Sequence, residues 1–244
     1  MIIELSNPTE ARNAIKYVIR ALRREENHKL SRVRLEPIGN DQMLAIASDG
    51  LRMHIAGVAC DAKACDVTPS SCDLLAYPPK AGPAFVSSFE VQDSIGPSDD
   101  EANLEVIEDF GEPYPDWKAR LCKSVDGASC VFDVPDMGRV AKAAKSQMKT
   151  IKTDGQVVSL EITDSKLTCK IPDGQSVEVV SSGHAEGPAS QIDIRIGFLI
   201  DALSGFGKAQ AKLQLAPNRL DIVSIGSAPK RRAIIMRMKK QSDK

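Results

Sequence analysis

Lysine and arginine recur at helical spacing in two stretches of this 244-residue chain. At about 100° per residue, Arg12, Lys16, Arg20, Arg23 and Arg24 share one arc of a helix that starts near Pro8. Ala14, Ile15, Val18, Ile19 and Leu22 fill an arc roughly opposite. In the second stretch Lys142, Lys145, Lys149 and Lys152 cluster, with Arg139 at the edge, and Val140, Ala144, Met148 and Ile151 line the other side. Rows of cations with almost no interleaved acids do electrostatics rather than covalent chemistry, and phosphate oxygens are their natural partners. One such stripe is most often a solvated helix face; two at corresponding places in a repeat favour a shared function.

The totals narrow that function. With 32 basic and 33 acidic residues the formal net charge is −1, so nucleic-acid binding must come from segregation of charge rather than its sum. The acids collect elsewhere, notably in SDDEANLEVIEDFGE at 98–112. Aromatic residues make up 4% of the chain, and few side chains on the basic helices suit base edges or stacking. Binding is therefore expected to be independent of base sequence and sensitive to salt.

Signals for other chemistry are missing from the sequence. The three histidines lie in unrelated contexts, and no nucleophile elbow, phosphate loop or metal-ligand motif occurs, so no enzyme, cofactor or metal is expected. Cys60, Cys65 and Cys72, with His54 nearby, do not have zinc-site spacing, and reduced thiols are the expectation. No apolar run approaches the length of a membrane span, and MIIELSNPTE does not read as a secretory signal. A cytoplasmic protein with no membrane association is expected.

The elements that would carry the basic rows repeat along the chain. MIIEL reads as a strand, then a helix from Pro8 to Glu26, strands near 32–37, 43–48 and 51–58, a loop at 60–78, a possible short helix in YPPKAGPAFVSSF and a strand at NLEVIED. SCVFDVPDMGRVAKAAKSQMKT then restarts the pattern, so that Ile2-Ile3-Glu4-Leu5 matches Val131-Phe132-Asp133-Val134. Strands follow at 156–162, 166–171, 176–181 and 191–196, then a helix in GFLIDALSGFG, then strands KLQLAP, RLDIVSI and RRAIIMRMKK. The expected fold is α+β, with two repeated domains at 1–122 and 123–244, each with about two helices packed on antiparallel sheets.

Within the first domain, ASDGLRM places Asp49-Gly50 between alternating apolar runs, a turn signal. This stretch, YPDWKARL, DIRIGFLIDALSGFG and the C-terminal AIIMRMKK occur in the order of similar segments in the bacterial DNA polymerase III beta sliding clamp. Ala47–Met53 resembles that family's A-T-D-G-H-R-L, Tyr114-Pro115-Asp116-Trp117 its phenylalanine-proline-aspartate-tyrosine signature, and Ile234–Lys240 its V-V-M-P-M-R-L end. Arg237 stands where the family has proline.

The resemblance covers the family's middle and last domains, with no counterpart of the first. It implies a processivity factor that encircles duplex DNA, tethers a replicative polymerase and is opened by a clamp loader. Two domains per chain imply a six-domain ring closed as a homotrimer, as in some phage clamps. The basic residues above, together with His28 and Lys29 after the first helix, would touch DNA. A partner-peptide groove is implied for Leu30, Ser48, Gly50, Leu51, Arg52 and Met53, with Pro115, Ile234, Met236 and Met238 from later segments. Methionines suit a groove that accepts several peptides, although they are also ordinary strand-core residues. A clamp-like regulatory or interaction protein that forms no closed ring is the alternative.

Overall fold

The computed structural model describes residues 2–5, 8–23, 30–39, 42–61, 65–67, 86–87, 114–121, 127–151, 156–163, 166–172, 176–180, 185–226 and 230–238. The chain divides into two compact units, residues 1–116 and 117–244.

In the first unit, β1 (Ile2–Leu5) leads into α1 (Pro8–Val18), followed by β2 (Val33–Gly39), β3 (Gln42–Ser48) and β4 (Arg52–Val58). These three strands form an antiparallel meander, and β6 (Cys65–Val67) returns beside β2. β1 sits between the two-residue strands β5 (Cys60–Asp61) and β7 (Val86–Ser87). The strand β7 lies inside YPPKAGPAFVSSF, where a helix was expected; the rest of that stretch and NLEVIED lie outside the described residues. Ala11, Ala14, Ile15 and Val18 bury one face of α1 against β3 and β4. Covered on that side, β3 is buried at nearly every position from Met43 to Ser48.

Helix α1 ends earlier than Glu26. It tightens into a 3-10 turn at Ile19–Ala21, and Leu22 is extended (ψ 137°) with its N–H bonded to the Ile19 carbonyl. Two constraints stop it there. The last carbonyls of a helix need outside partners, and His54 on β4 supplies one: its Nδ1 lies 3.0 Å from the Tyr17 carbonyl, so Nδ1 carries the proton. The His54 and Tyr17 rings stack with centroids 4.6 Å apart, both buried. Leu22 is buried by leaving the helical path, and the Arg23 N–H then reaches the Leu30 carbonyl.

The second unit opens with a short helix, α2 (Trp117–Leu121), inside the YPDWKARL stretch where none was expected. β8 (Ser129–Asp133) then feeds α3 (Val134–Ile151). Pro135 in the first turn costs no hydrogen bond, and Asp136 complements the positive end of the helix. β9 (Val157–Thr163), β10 (Lys166–Lys170) and β11 (Ser176–Val180) form a second meander, with β12 (Ser190–Arg195) beside β9. After α4 (Ile196–Leu203), β13 (Gln210–Leu215), β14 (Arg219–Ser224) and β15 (Arg231–Met236) run antiparallel, and β8 pairs with β13. α4 stops at Leu203, short of the expected GFG, where successive turns take over and Gly207 adopts a φ of 63°.

Strand β9 alternates, burying Val158, Leu160 and Ile162, each worth about 1.5–3 kcal/mol. The buried seam of α3 is Val134, Met137, Ala141, Ala144 and Met148. Val140, expected in the core, is half-exposed, because the observed seam follows alternating three- and four-residue steps that pass through Ala141. α3 packs against α4, and Ala141 and Ala144 are fully buried on its seam. Gly127 permits another close approach: a Cβ there would lie 1.6 Å from the Leu215 carbonyl oxygen.

The duplication is visible in the topology. In each unit a strand and a helix precede a three-stranded meander, a fourth strand returns beside the first meander strand, and a later strand (β7 or β13) pairs antiparallel with the opening one. Cys65, Cys130 and Cys169 are buried thiols, and burial pushes Cys130 up to about 11 and Cys169 to about 12. They fill strands as neutral groups. No cluster able to hold a metal occurs among the described residues, and no helix among them is long and apolar enough to cross a membrane.

His54→Ala removes the Tyr17 hydrogen bond, the ring stack and buried volume together. It is expected to cost about 2–4 kcal/mol, measured by urea denaturation; a change below 0.5 kcal/mol, roughly the size of a neutral surface substitution, would show that the helix end does not depend on it.

Candidate functional site

The turn between β3 and β4 is held by two side chains. The Asp49 Oδ1 accepts from the Leu51 and Arg52 N–H groups, each at 2.9 Å, while Oδ2 pairs with the Arg52 Nε at 3.0 Å. The Ser48 hydroxyl donates to the Arg52 carbonyl at 2.8 Å and accepts from the Gly50 N–H at 3.1 Å. Gly50 has a φ of 89°, a conformation that residues with a Cβ rarely adopt. Ser48 is buried, Arg52 and Met53 are half-buried, and Leu51 is 41% exposed. The turn spends its polar groups internally and presents an aliphatic side chain.

Leu30 belongs to the same neighbourhood: its Cδ1 lies 3.7 Å from where a Gly50 Cβ would be. Two residues on, Arg32 is 1% exposed, with its Nε 3.2 Å from the Asp66 Oδ2. Its guanidinium also lies 5.8 Å from the centre of the Tyr114 ring. Burial, then the neighbouring Asp66 charge, raises the Tyr114 hydroxyl above the ordinary phenol range. This cluster ties the chain just before the half-buried Pro115 to the start of β2.

In the second unit, the register pairs Met236 with Arg219, Ile234 with Asp221 and Arg232 with Val223. Ile234 and Met236 therefore share the polar face of the sheet, while Ala233 and Ile235 share the apolar face with Ile222 and Leu220. Ile234 is buried there, and Met236 is half-buried. Asp221, 2% exposed, accepts from the Arg232 Nε at 2.9 Å and from its terminal nitrogen. Beyond β15, the Arg237 N–H reaches the Asn218 carbonyl and the Met238 N–H the Asp193 carbonyl. Met238 is half-buried and Arg237 exposed.

Of the basic residues, Arg20, Arg139, Lys142 and Lys149 are exposed, while Arg12, Lys16, Arg23 and Lys145 are half-buried. Arg139 pairs with Asp136 on its own helix. Arg24, His28, Lys29 and Lys152 lie outside the described residues. The internal partners went unforeseen in the sequence: Tyr17 for His54, Asp66 and Tyr114 for Arg32, Asp221 for Arg232. Only the Asp49 hydrogen bonds had a local signal, since aspartate at the start of a turn habitually accepts from N–H groups further along.

This architecture is that of the DNA sliding clamps. A DNA polymerase III beta chain from Streptococcus pneumoniae superposes with a TM-score of 0.73 at 14% identity, over 98% of this chain and 64% of the other. The sliding clamp of Bacillus subtilis gives 0.74 at 14%, over 98% and 64%, and the beta subunit of Thermotoga maritima 0.73 at 16%, over 98% and 66%. The chain thus spans a little under two thirds of the length of these clamps, and at such identities the likeness concerns the fold. No family sequence model and no curated protein sequence matches the chain.

Asp49→Ala removes the acceptor for two N–H groups and for the Arg52 side chain. The expected loss is about 1–2 kcal/mol, discounted for solvent screening at this partly exposed site. Amide exchange at Leu51 and Arg52 should quicken; unchanged protection there would show the turn to be held by other means.

Proposed function

We propose that the chain acts as a DNA polymerase processivity factor, a sliding clamp that encircles duplex DNA and tethers a replicative polymerase. The recurrence of a basic helix at the same point of a duplicated, clamp-type topology carries this reading. The cations on α1 and α3 make weak, sequence-independent phosphate contacts that permit sliding. Retention comes from topological closure, and no covalent chemistry, cofactor or metal is called for.

Two clamp-type units per chain would complete a six-domain ring as a homotrimer in the cytoplasm, with a clamp loader opening it. Peptide contacts are assigned to Leu30, Gly50, Leu51 and Met53, with Pro115, in the first unit, and separately to Ile234, Met236 and Met238 in the second. Ser48 and Arg52 hold the turn that presents Leu51. The exposure of Leu51 and the position of Met236 on the polar face of its sheet support this reading, since neither side chain is spent on the helix-covered core.

Loading on a nicked circular duplex, followed by a high-salt wash and linearisation, separates closure from electrostatics. Retention on the circle and loss from the linear form is the expected result. Release of both by salt would leave a clamp-like protein that forms no closed ring. Leu51→Asp places a charge in the proposed peptide contact: it should abolish polymerase stimulation and leave the assembly mass in light scattering unchanged. Full stimulation by that variant would remove the turn from the partner site.

A further inference from the structure

The two basic helices are not equivalent. In α3, Lys142 and Lys149 are exposed and Lys145 is half-buried, and none of the three has an ion pair or hydrogen bond among the described residues. The single acid of α3, Asp136, is engaged with Arg139 a turn earlier. Because α3 is continuous from Val134 to Ile151, the three lysines keep strict three- and four-residue spacing. They form a row about 10 Å long at 1.5 Å per residue. A duplex carries one phosphate charge per about 1.7 Å of axis, so the row spans several of them.

The first unit differs for three of its four described cations. Lys16, Arg20 and Arg23 all interact with other groups of the protein. Arg12 is half-buried, and its Nε is shielded from solvent without a hydrogen-bond partner among the described residues. The α-helix ends at Val18, so Arg20 lies on the 3-10 turn and Arg23 beyond it, after the extended Leu22. The single basic arc expected from uniform helical rotation does not extend to them.

We infer that α3 supplies the principal phosphate-contacting surface of each chain, through Lys142, Lys145 and Lys149, while the cations of α1, most of them engaged within the protein, add a smaller share. This inference rests on the duplex-DNA reading above. Lysine fits the role: its ammonium is a compact, hydrated point charge on a flexible stem that follows phosphates without fixing register.

Anisotropy of a labelled blunt linear duplex, titrated at several salt concentrations, tests the assignment. The slope of log affinity against log salt falls by about 0.9 for each phosphate that is no longer neutralised. The Lys142→Gln/Lys149→Gln variant should lose clearly more slope than Lys16→Gln/Arg20→Gln, two cations being removed in each, and melting curves would confirm that both variants fold. Equal losses, or a larger loss in the α1 variant, would overturn the assignment while leaving duplex binding in place. Salt-independent binding by the unsubstituted chain, or none even at the lowest salt, where phosphate contacts are strongest, would overturn the duplex reading itself. Tighter binding to single-stranded RNA than to duplex DNA would overturn it as well.

Discussion

Burial of one face of each helix against its own unit is the constraint from which the rest follows. Once Met137, Ala141, Ala144 and Met148 are committed to the interior, the rotation of α3 is fixed, and Lys142 and Lys149 can only point to solvent. Turning the helix to hide a lysine would expose methionine and bury an ammonium, a combination costing several kcal/mol. The basic surface is therefore a consequence of core packing and needs no stabilisation of its own.

The same economy governs the β3–β4 turn. A left-handed glycine and two short polar side chains satisfy the turn internally, so its one large exposed group, Leu51, is held without being buried. An aliphatic side chain on a stiff turn loses little entropy when a partner covers it. Pinning the turn from within has a structural consequence too: Arg52, implied from the sequence as a peptide contact, is spent on Asp49.

Most of the strands and the two-unit repeat were legible in the sequence because both depend on periodicity, which is local. β9 alternates as strictly in space as in sequence, and the strands holding Ile2 and Val131 each lead into a basic helix. Helix ends were less legible. The end of α1 is set by His54, far along the chain on β4, and by the burial of Leu22, and neither is visible within a helical window. Val140 was misplaced because a uniform 100° projection does not reveal which neighbouring apolar position meets a partner helix. For the site, residue types pointed to the turn and the lysines, but the pairing of Arg32 with Asp66 and of Arg232 with Asp221 required knowing the strand register.

On the inference drawn above, the two basic helices differ in how many of their cations are already engaged. A cation already engaged inside the protein must give up that interaction to meet a phosphate, so it gains only the difference between the two. An unengaged lysine exchanges water and condensed counterions alone, and counterion release favours the contact. Basic residues on two amphipathic helices can thus make unequal contributions to binding. On the proposed function this inequality is tolerable, because a closed ring needs its lysines only to keep the duplex from settling against the wall. Weak, easily exchanged contacts on one helix per chain suit sliding better than a full complement of tight ones.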